Sequence, residues 1–593
     1  MNNTPRYLIT TAHESTWKFD RPVVFLGDWC RLHGRQHIWQ SMDAIVAEPY
    51  GLGKMQKDLD YAEARVLENE LFPFFCNILN EYHATQHGER FWKIVLGHWF
   101  RRYVDVVFNR VKTLESCLNA YELSGTSVFL ETYSLAPKDS YSAIWAFNDD
   151  QWNNALYARI LNLLEVKSNL VDVIVGGKSD SFQIDFAVSK ISYKKRVLKW
   201  GYQLLGKFLE LWKRDDDAVI INSYLPKKEQ IKLELALGQV PQLLTSKEFK
   251  ISKKPDYALR QSLCSQLKNG PKQSLSGILS NLVFELLPVC YLEGFNDLTI
   301  AAQKLNWPKN PKFIFTSNSF DTDEIFKLLT AQRVDLGALY FVGQHGNYGV
   351  SRNGLDPSVE EETSDKFLTW GWRDGMPQHT PTFIFKTVGY KAGVYDRSGG
   401  LLLIELCLNL PITCWDAGYE FLTYFEDQKI FVDKLGSEAR KKMTIRLHSA
   451  YSRLKWNEVP RWCEFDPTIK LNTGEYAISH LISQSRLVVH SYDSTGILET
   501  LSQNIPTLAF WQNGLDHLRD SATPYYQLLV DVGIVHLSAE SIADKVNTIW
   551  DNVDAWWYQP SVQHARKIFC DRYARVSQKP ISELKSILTD NCH

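Results

Sequence analysis

Apolar and polar positions along this chain follow two periods, and the switches between them mark out its elements. Tyr7–Thr11 (YLITT), Pro22–Leu26 (PVVFL) and Met42–Val46 (MDAIV) are short apolar runs that read as buried strands. From Asp58 to about Leu123 apolar residues recur at three- and four-residue intervals, as in DYAEARVLENELFPFFCNILNEYH, which predicts helices packed beside a sheet. Ser127–Glu131, Val171–Val175, Ala218–Ile221, Lys312–Thr316 and Gly337–Val342 read as further strands separated by helix-compatible sequence. A second series follows, with strands expected at Thr382–Val388, Leu401–Leu406, Met443–His448, Leu487–Val489 and Thr507–Trp511, then a helix at Gln563–Tyr573. Strands that alternate with helices argue for an α/β fold.

Length turns this pattern into a domain expectation. At 593 residues the chain exceeds what one hydrophobic core organises, so two Rossmann-like domains are expected, 1–375 and 376–593, with the helical insertion at about 58–123 in the first. The formal net charge of -2 and the lack of a basic block with aromatic platforms argue against nucleic acid. The basic residues of Lys93–Arg110 read either as a solvated face or as a docking face for acidic lipid. The ten cysteines are scattered with no Cys-x-x-Cys pair, which suits reduced thiols. No basic-then-apolar leader and no long apolar span are present, so a cytoplasmic protein is expected.

The candidate chemistry sits where strands end. Ser485–Trp511 reads strand, polar loop, helix, turn, strand, and the helix start offers N–H groups and a positive dipole end to an anion. Ser491, Asp493, Ser494 and Thr495 are placed to cap that helix or to meet a phosphate, Gly496 to admit close approach, and Glu499 to accept ribose hydroxyls. The run Gly343-Gln344-His345-Gly346-Asn347-Tyr348-Gly349 follows another strand, and puts a histidine among glycines, with Gln344, Gly346 and Tyr348 as candidate acceptor or loop residues. Neither G-x-G-x-x-G nor a Walker A pattern occurs at the strand–helix junctions, and no metal-ligand spacing is found, so no resident cofactor or metal is expected.

S-x-S/T-G-x-x-E-x-L followed by N-x-P, here Ser491 to Pro506, resembles the donor half of GT-B glycosyltransferases. With FLGDWC (Phe25–Cys30), TSNSFDTDEIFK (Thr316–Lys327), GQHGNYG (Gly343–Gly349), IRLH (Ile445–His448), DSTGILETL (Asp493–Leu501) and LRDSATPYY (Leu518–Tyr526), nearly the whole chain resembles a family of transferases from bacterial surface-polysaccharide gene clusters. Its distant relatives are enzymes that use CMP-activated Kdo or sialic-acid-like sugars, and CDP-glycerol glycerophosphotransferases. The resemblance implies two domains around a cleft, metal-independent transfer from a CMP-linked nucleotide sugar, and a glycan or lipid-linked glycan acceptor at the inner membrane. Such a transfer needs a base for the acceptor hydroxyl, for which His345, Glu293 and Asp28 are the candidates, and positive charge for the departing phosphate, for which Arg446, His448 and Arg519 are the candidates. Tyr291-Leu292-Glu293-Gly294 is one acidic residue short of the base motif of bacterial sialyltransferases, and their His-Pro nucleotide motif is missing. A CDP-alditol phosphotransferase, a sugar-nucleotide epimerase and a non-catalytic assembly protein are the alternative readings; oligomeric state is not legible.

Overall fold

The structure is a computed structural model that describes residues 4–129, 133–166, 171–174, 182, 212–242, 244–245, 249–267, 270–350, 357–407 and 421–590. Three parallel sheets follow one another along the chain. The first contains β1 (Arg6–Ile9), β2 (Val23–Phe25), β3 (Ala44–Val46), β4 (Leu123–Phe129) and β5 (Val171–Ile174), in the order β3-β2-β1-β4-β5. The second contains β6 (Val219–Ile220), β7 (Phe313–Thr316), β8 (Leu339–Gly343), β9 (Lys366–Thr369) and β10 (His379–Pro381), in the order β10-β9-β8-β7-β6. The third contains β11 (Gly400–Ile404), β12 (Met443–Arg446), β13 (Lys470–Asn472), β14 (Ser485–His490), β15 (Thr507–Phe510) and β16 (Val535–His536), in the order β13-β12-β11-β14-β15-β16.

The α/β class expected from the pattern is the observed one, and its Rossmann-like character shows in the third sheet. There β11 pairs in parallel with both β12 and β14, so the strand order reverses at β11. Ligands of open α/β sheets bind at such a reversal, outside the carboxyl ends of the strands. One expectation needs correction: residues 1–375 hold the first sheet and four strands of a second, whose last strand, β10, lies past the expected boundary at His379–Pro381. The short strands β6, β9 and β10 hide this division, because two to four residues leave little periodicity to read. The C-terminal helix Pro580–Thr589 also leaves the third sheet, and buries Leu584 and Leu588 with Ala218, Phe313, Phe341 and Phe385 of the second. Thr382–Val388 is not a strand: Phe383, Ile384 and Phe385 are buried, but Ile384 N donates to Arg575 O and the chain turns at Phe385–Thr387. Apolar content gave that segment its strand-like look, whereas its packing is against the returning C-terminal segment.

The helical insertion forms the helices Lys54–His83 and Glu89–Ala120, between β3 and β4. The second packs against Glu324–Asp335 of the second sheet and so joins the first two sheets. Its basic residues are neither a solvated nor a lipid-docking face. Lys93 reaches Glu362 at 2.6 Å, Arg101 reaches Glu68 at 3.0 Å, Arg102 donates to Asp321 Oδ2 at 2.9 Å and Arg110 donates to Asn153 at 2.9 Å. Lys327, its side chain 1% exposed, completes the joint: its Nζ donates to Ser140 Oγ at 3.0 Å and Tyr291 OH at 2.6 Å and pairs with Glu324 at 2.9 Å. Eight cysteines are free thiols, while Cys414 and Cys592 lie outside the described residues. Among the described residues no helix is long and apolar enough to cross a membrane.

Candidate functional site

The carboxyl end of β14 is organised by a histidine. His490 is fully buried, and burial pushes its pKa down to about 3, so it is a neutral ring. Ser494 stands at the N-cap of the helix Thr495–Ser502, yet its side chain makes no capping bond and instead meets His490 Nδ1 at 3.2 Å. The first-turn amides are therefore not closed by a capping side chain, which leaves the dipole end open to an anion. Gly496 lies over the same ring: an added Cβ would stand 2.6 Å from His490 Cε1. The glycine is thus needed for packing on His490. Two expected phosphate contacts are corrected. Ser491 donates its hydroxyl to Ile404 O at 2.9 Å and shares a 2.7 Å bond with Tyr424, tying β14 to β11. Asp493 accepts from Tyr526 OH at 2.8 Å and lies 2.9 Å from His517 Nε2, so it anchors the loop.

The loop after β8 faces this helix start. Asn347 Nδ2 donates to Asp493 O at 2.8 Å, and a Cβ on Gly346 would lie 3.0 Å from Thr495 Oγ1. Of the two roles expected for Gln344, glycan-acceptor contact or loop residue, the structure has the second: its Oε1 accepts from Trp370 N and Trp372 Nε1, each at 2.8 Å, and its Nε2 donates to Gly346 O at 2.6 Å. His345, next in the loop, lies edge-on to Phe320 at 5.5 Å. Burial lowers its pKa below the ordinary imidazole value; the Asp321 carboxylate opposes this, and Lys386 and Arg102 add to it. A neutral imidazole at pH 7 has the state a general base needs. Tyr348 opens the turn Tyr348–Val350, and its side chain lies outside the described part of the structure.

Glu499 meets the second sheet through a residue the sequence reading passed over. Lys386 Nζ lies 3.0 Å from Glu499 Oε1 and 4.8 Å from the centre of the Tyr224 ring. Tyr224 and Asn222, just past β6, both hold left-handed backbone, with φ of 63° and 47°. Non-glycine residues adopt that region at a cost, and such outliers gather at ligand sites. Lys386 is a lone cation in the apolar run FIFKTVG, which is the signal that would have found it. Tyr224 and Asn222 carry no such mark in the sequence.

The other candidates do not join this group. Glu293 is corrected as a base: Arg260 grips both of its oxygens at 2.8 and 2.6 Å, and Asp256 N donates to it at 2.8 Å. A carboxylate so engaged is a structural anion. Asp28 pairs with Arg31 at the end of β2 and faces Arg461 of the third sheet's helix Glu458–Phe465. Arg519 is buried, pairs with Asp374 at 3.1 Å and stacks 5.6 Å from Trp372, so its charge ties the third sheet to the loop after β9. Arg446 donates to Asn472 across β12 and β13. His448 follows it, exposed by surface area, with a pKa lowered by desolvation first and by Arg446 second. What the structure brings together is His345, Gly346, Thr495 and Glu499, with Lys386 and Tyr224. Among the described residues no group of three or more His, Cys, Asp or Glu is arranged to hold a metal.

Solved structures resemble the chain only distantly. A protein described as a UDP-N-acetylglucosamine 2-epimerase from Listeria monocytogenes shares 12% identity over 63% of this chain and 97% of its own, with a TM-score of 0.33. The glycosyltransferase SsfS6 of Streptomyces sp. SF2575 shares 12% over 63% and 99%, with a TM-score of 0.29. MurG of Acinetobacter baumannii shares 8% over 63% and 99%, with a TM-score of 0.27. No curated protein matches. The model of the family described as LIC12162 family transferase matches residues 6–588, nearly the whole of the chain, and the protein therefore belongs to the LIC12162 family of transferases.

Proposed function

We propose that this transferase is a GT-B glycosyltransferase that binds a nucleotide sugar on the third sheet and an acceptor hydroxyl from the second. The observation that carries the reading is the uncapped start of helix Thr495–Ser502, which carries Glu499 and faces His345 and Lys386 from the second sheet. The donor phosphate lies at the helix start, and Glu499 accepts the ribose hydroxyls. Lys386 exchanges Glu499 for the phosphate. His345 takes the acceptor proton as the acceptor oxygen attacks the anomeric carbon, and the bond from that carbon to the phosphate oxygen breaks. The leaving nucleotide keeps the electron pair, held by the helix dipole and Lys386 without a metal.

The family resemblance supports a finer statement. The donor is a CMP-linked nonulosonic acid such as Kdo, and the acceptor is a bacterial surface glycan, of lipopolysaccharide O-antigen or capsule type, carried on lipid at the cytoplasmic face of the inner membrane. Thermal shift against CMP-, UDP- and GDP-sugars tests the site. Saturating CMP-sugar raises the melting temperature by several degrees in the expected result, on the order of 2–4 °C. No stabilisation by any nucleotide overturns the reading. Product mass then separates sugar transfer from transfer of a phosphoalditol.

A further inference from the structure

We propose that residues 453–464 form a strap that clasps the first sheet to the third, and that Glu405 and Glu458 are the seat from which it releases as they ionise. The strap makes contacts between units along its whole length. Arg453 donates to Tyr141 OH at 3.2 Å and lies 4.7 Å over the Trp145 ring. Lys455 Nζ donates to Asp150 at 2.9 Å. Asn457 abuts Gly34, where an added Cβ would stand 2.6 Å from its side-chain amide, and Glu464 lies 2.9 Å from His33 Nε2. Lys455 and Asn457 both hold left-handed backbone, at φ 61°, so the conformation is kept by its contacts and not by its own preference.

The inner side of the strap rests on β11, at the strand-order reversal of the third sheet. Glu405 and Glu458 are each 3% exposed, and each keeps one carboxyl oxygen without a hydrogen-bond partner among the described residues. Trp462 Nε1 donates to the other oxygen of Glu405 at 3.3 Å. Around the pair stand the half-buried thiol of Cys407, just past β11, and Arg461 on the strap. Arg461 is itself shared with Glu464, with Glu426 of the helix Phe421–Lys434, and with Asp28 of the first sheet. A buried carboxyl with an unused oxygen is tolerable while protonated and costly once charged. Burial raises Glu405 to about 8 and Glu458 to about 7 from an ordinary 4.5. Carboxyls raised in the folded state hold protons that the released state gives up, so clasping weakens as pH climbs from about 4.5 through 7 to 8.

Hydrogen exchange of the full chain, corrected for intrinsic rates, tests both halves. In the wild type, exchange at 453–464 and at 28–35 rises by at least about tenfold between pH 6 and 9, whereas in Glu405→Gln/Glu458→Gln it stays level. A level wild-type profile, or an unchanged rise in the double variant, overturns the seat. A rise at 453–464 that leaves 28–35 unaltered overturns the clasp. Lys455→Glu, a half-exposed change, is the second variant: it raises exchange at 28–35 at pH 6 severalfold, and no change there also overturns the clasp.

Discussion

Two lysines in this protein have the same companions and opposite surroundings. Lys327 pairs with Glu324 at 2.9 Å and lies 5.3 Å over the Tyr291 ring, and the side chains of that ion pair are 1% and 5% exposed. Lys386 pairs with Glu499 at 3.0 Å and lies 4.8 Å over the Tyr224 ring, with 30% and 29% exposed. The first trio lies in the joint between the first and second sheets, and the second links the second and third at the proposed cleft. Water makes the difference. A buried, fully partnered pair is strongly destabilising to break from one side, whereas an exposed pair contributes little and exchanges partners readily. The same three side chains therefore make a permanent weld in one place and an openable contact in the other.

The comparison sharpens most if the cleft carries activity and the joint carries stability. His345→Ala is expected to lower the transfer rate by about 10²–10⁴-fold in steady-state kinetics while the melting temperature holds. Lys327→Met is expected to lose about 3–5 kcal/mol in denaturant unfolding, and Lys386→Met less than about 1. Equal losses at the two lysines would break the comparison. Gly496→Ala tests the cleft floor: its Cβ meets the His490 ring, and a loss of about 1–3 kcal/mol by the same unfolding measurement is expected. Lys386→Met should instead appear in binding, as a rise in donor KM of about tenfold with kcat less affected. The smallest effect is in pH. Because burial lowers the pKa of His345, the acid limb of kcat/KM should fall below the ordinary imidazole value of 6.5, as neutral His345 is lost only when pH drops through that lowered pKa. An acid limb above 6.5 would remove His345 as the base.

The uneven legibility of the site has a physical cause. Thr495 and Glu499 announce themselves because a strand, a polar loop and a helix start fall within one short stretch, and local order suffices to place them. His345 is marked by the glycines beside it and the strand before it. Ser491, Asp493 and Gln344 fit the same local pattern, yet each hydroxyl, carboxylate or amide turned out to be occupied by a neighbour distant in sequence: Ile404, Tyr526 and Trp372. Glu293 resembles a base by its local motif, and the partner that occupies it, Arg260, lies 33 residues away, where no local pattern reveals it.

The sequence by itself determined the alternation of strands and helices, the α/β class, the strand-end loops and the family, because each depends on periodicity or on motifs read within a short window. Tertiary structure alone decided that there are three sheets, that the C-terminal helix returns to the second, and that Lys386 meets Glu499. It also decided which polar residues are spent on packing. Those outcomes depend on which distant side chains come close enough to take up a hydrogen bond or exclude water, and that is settled only when the sheets meet.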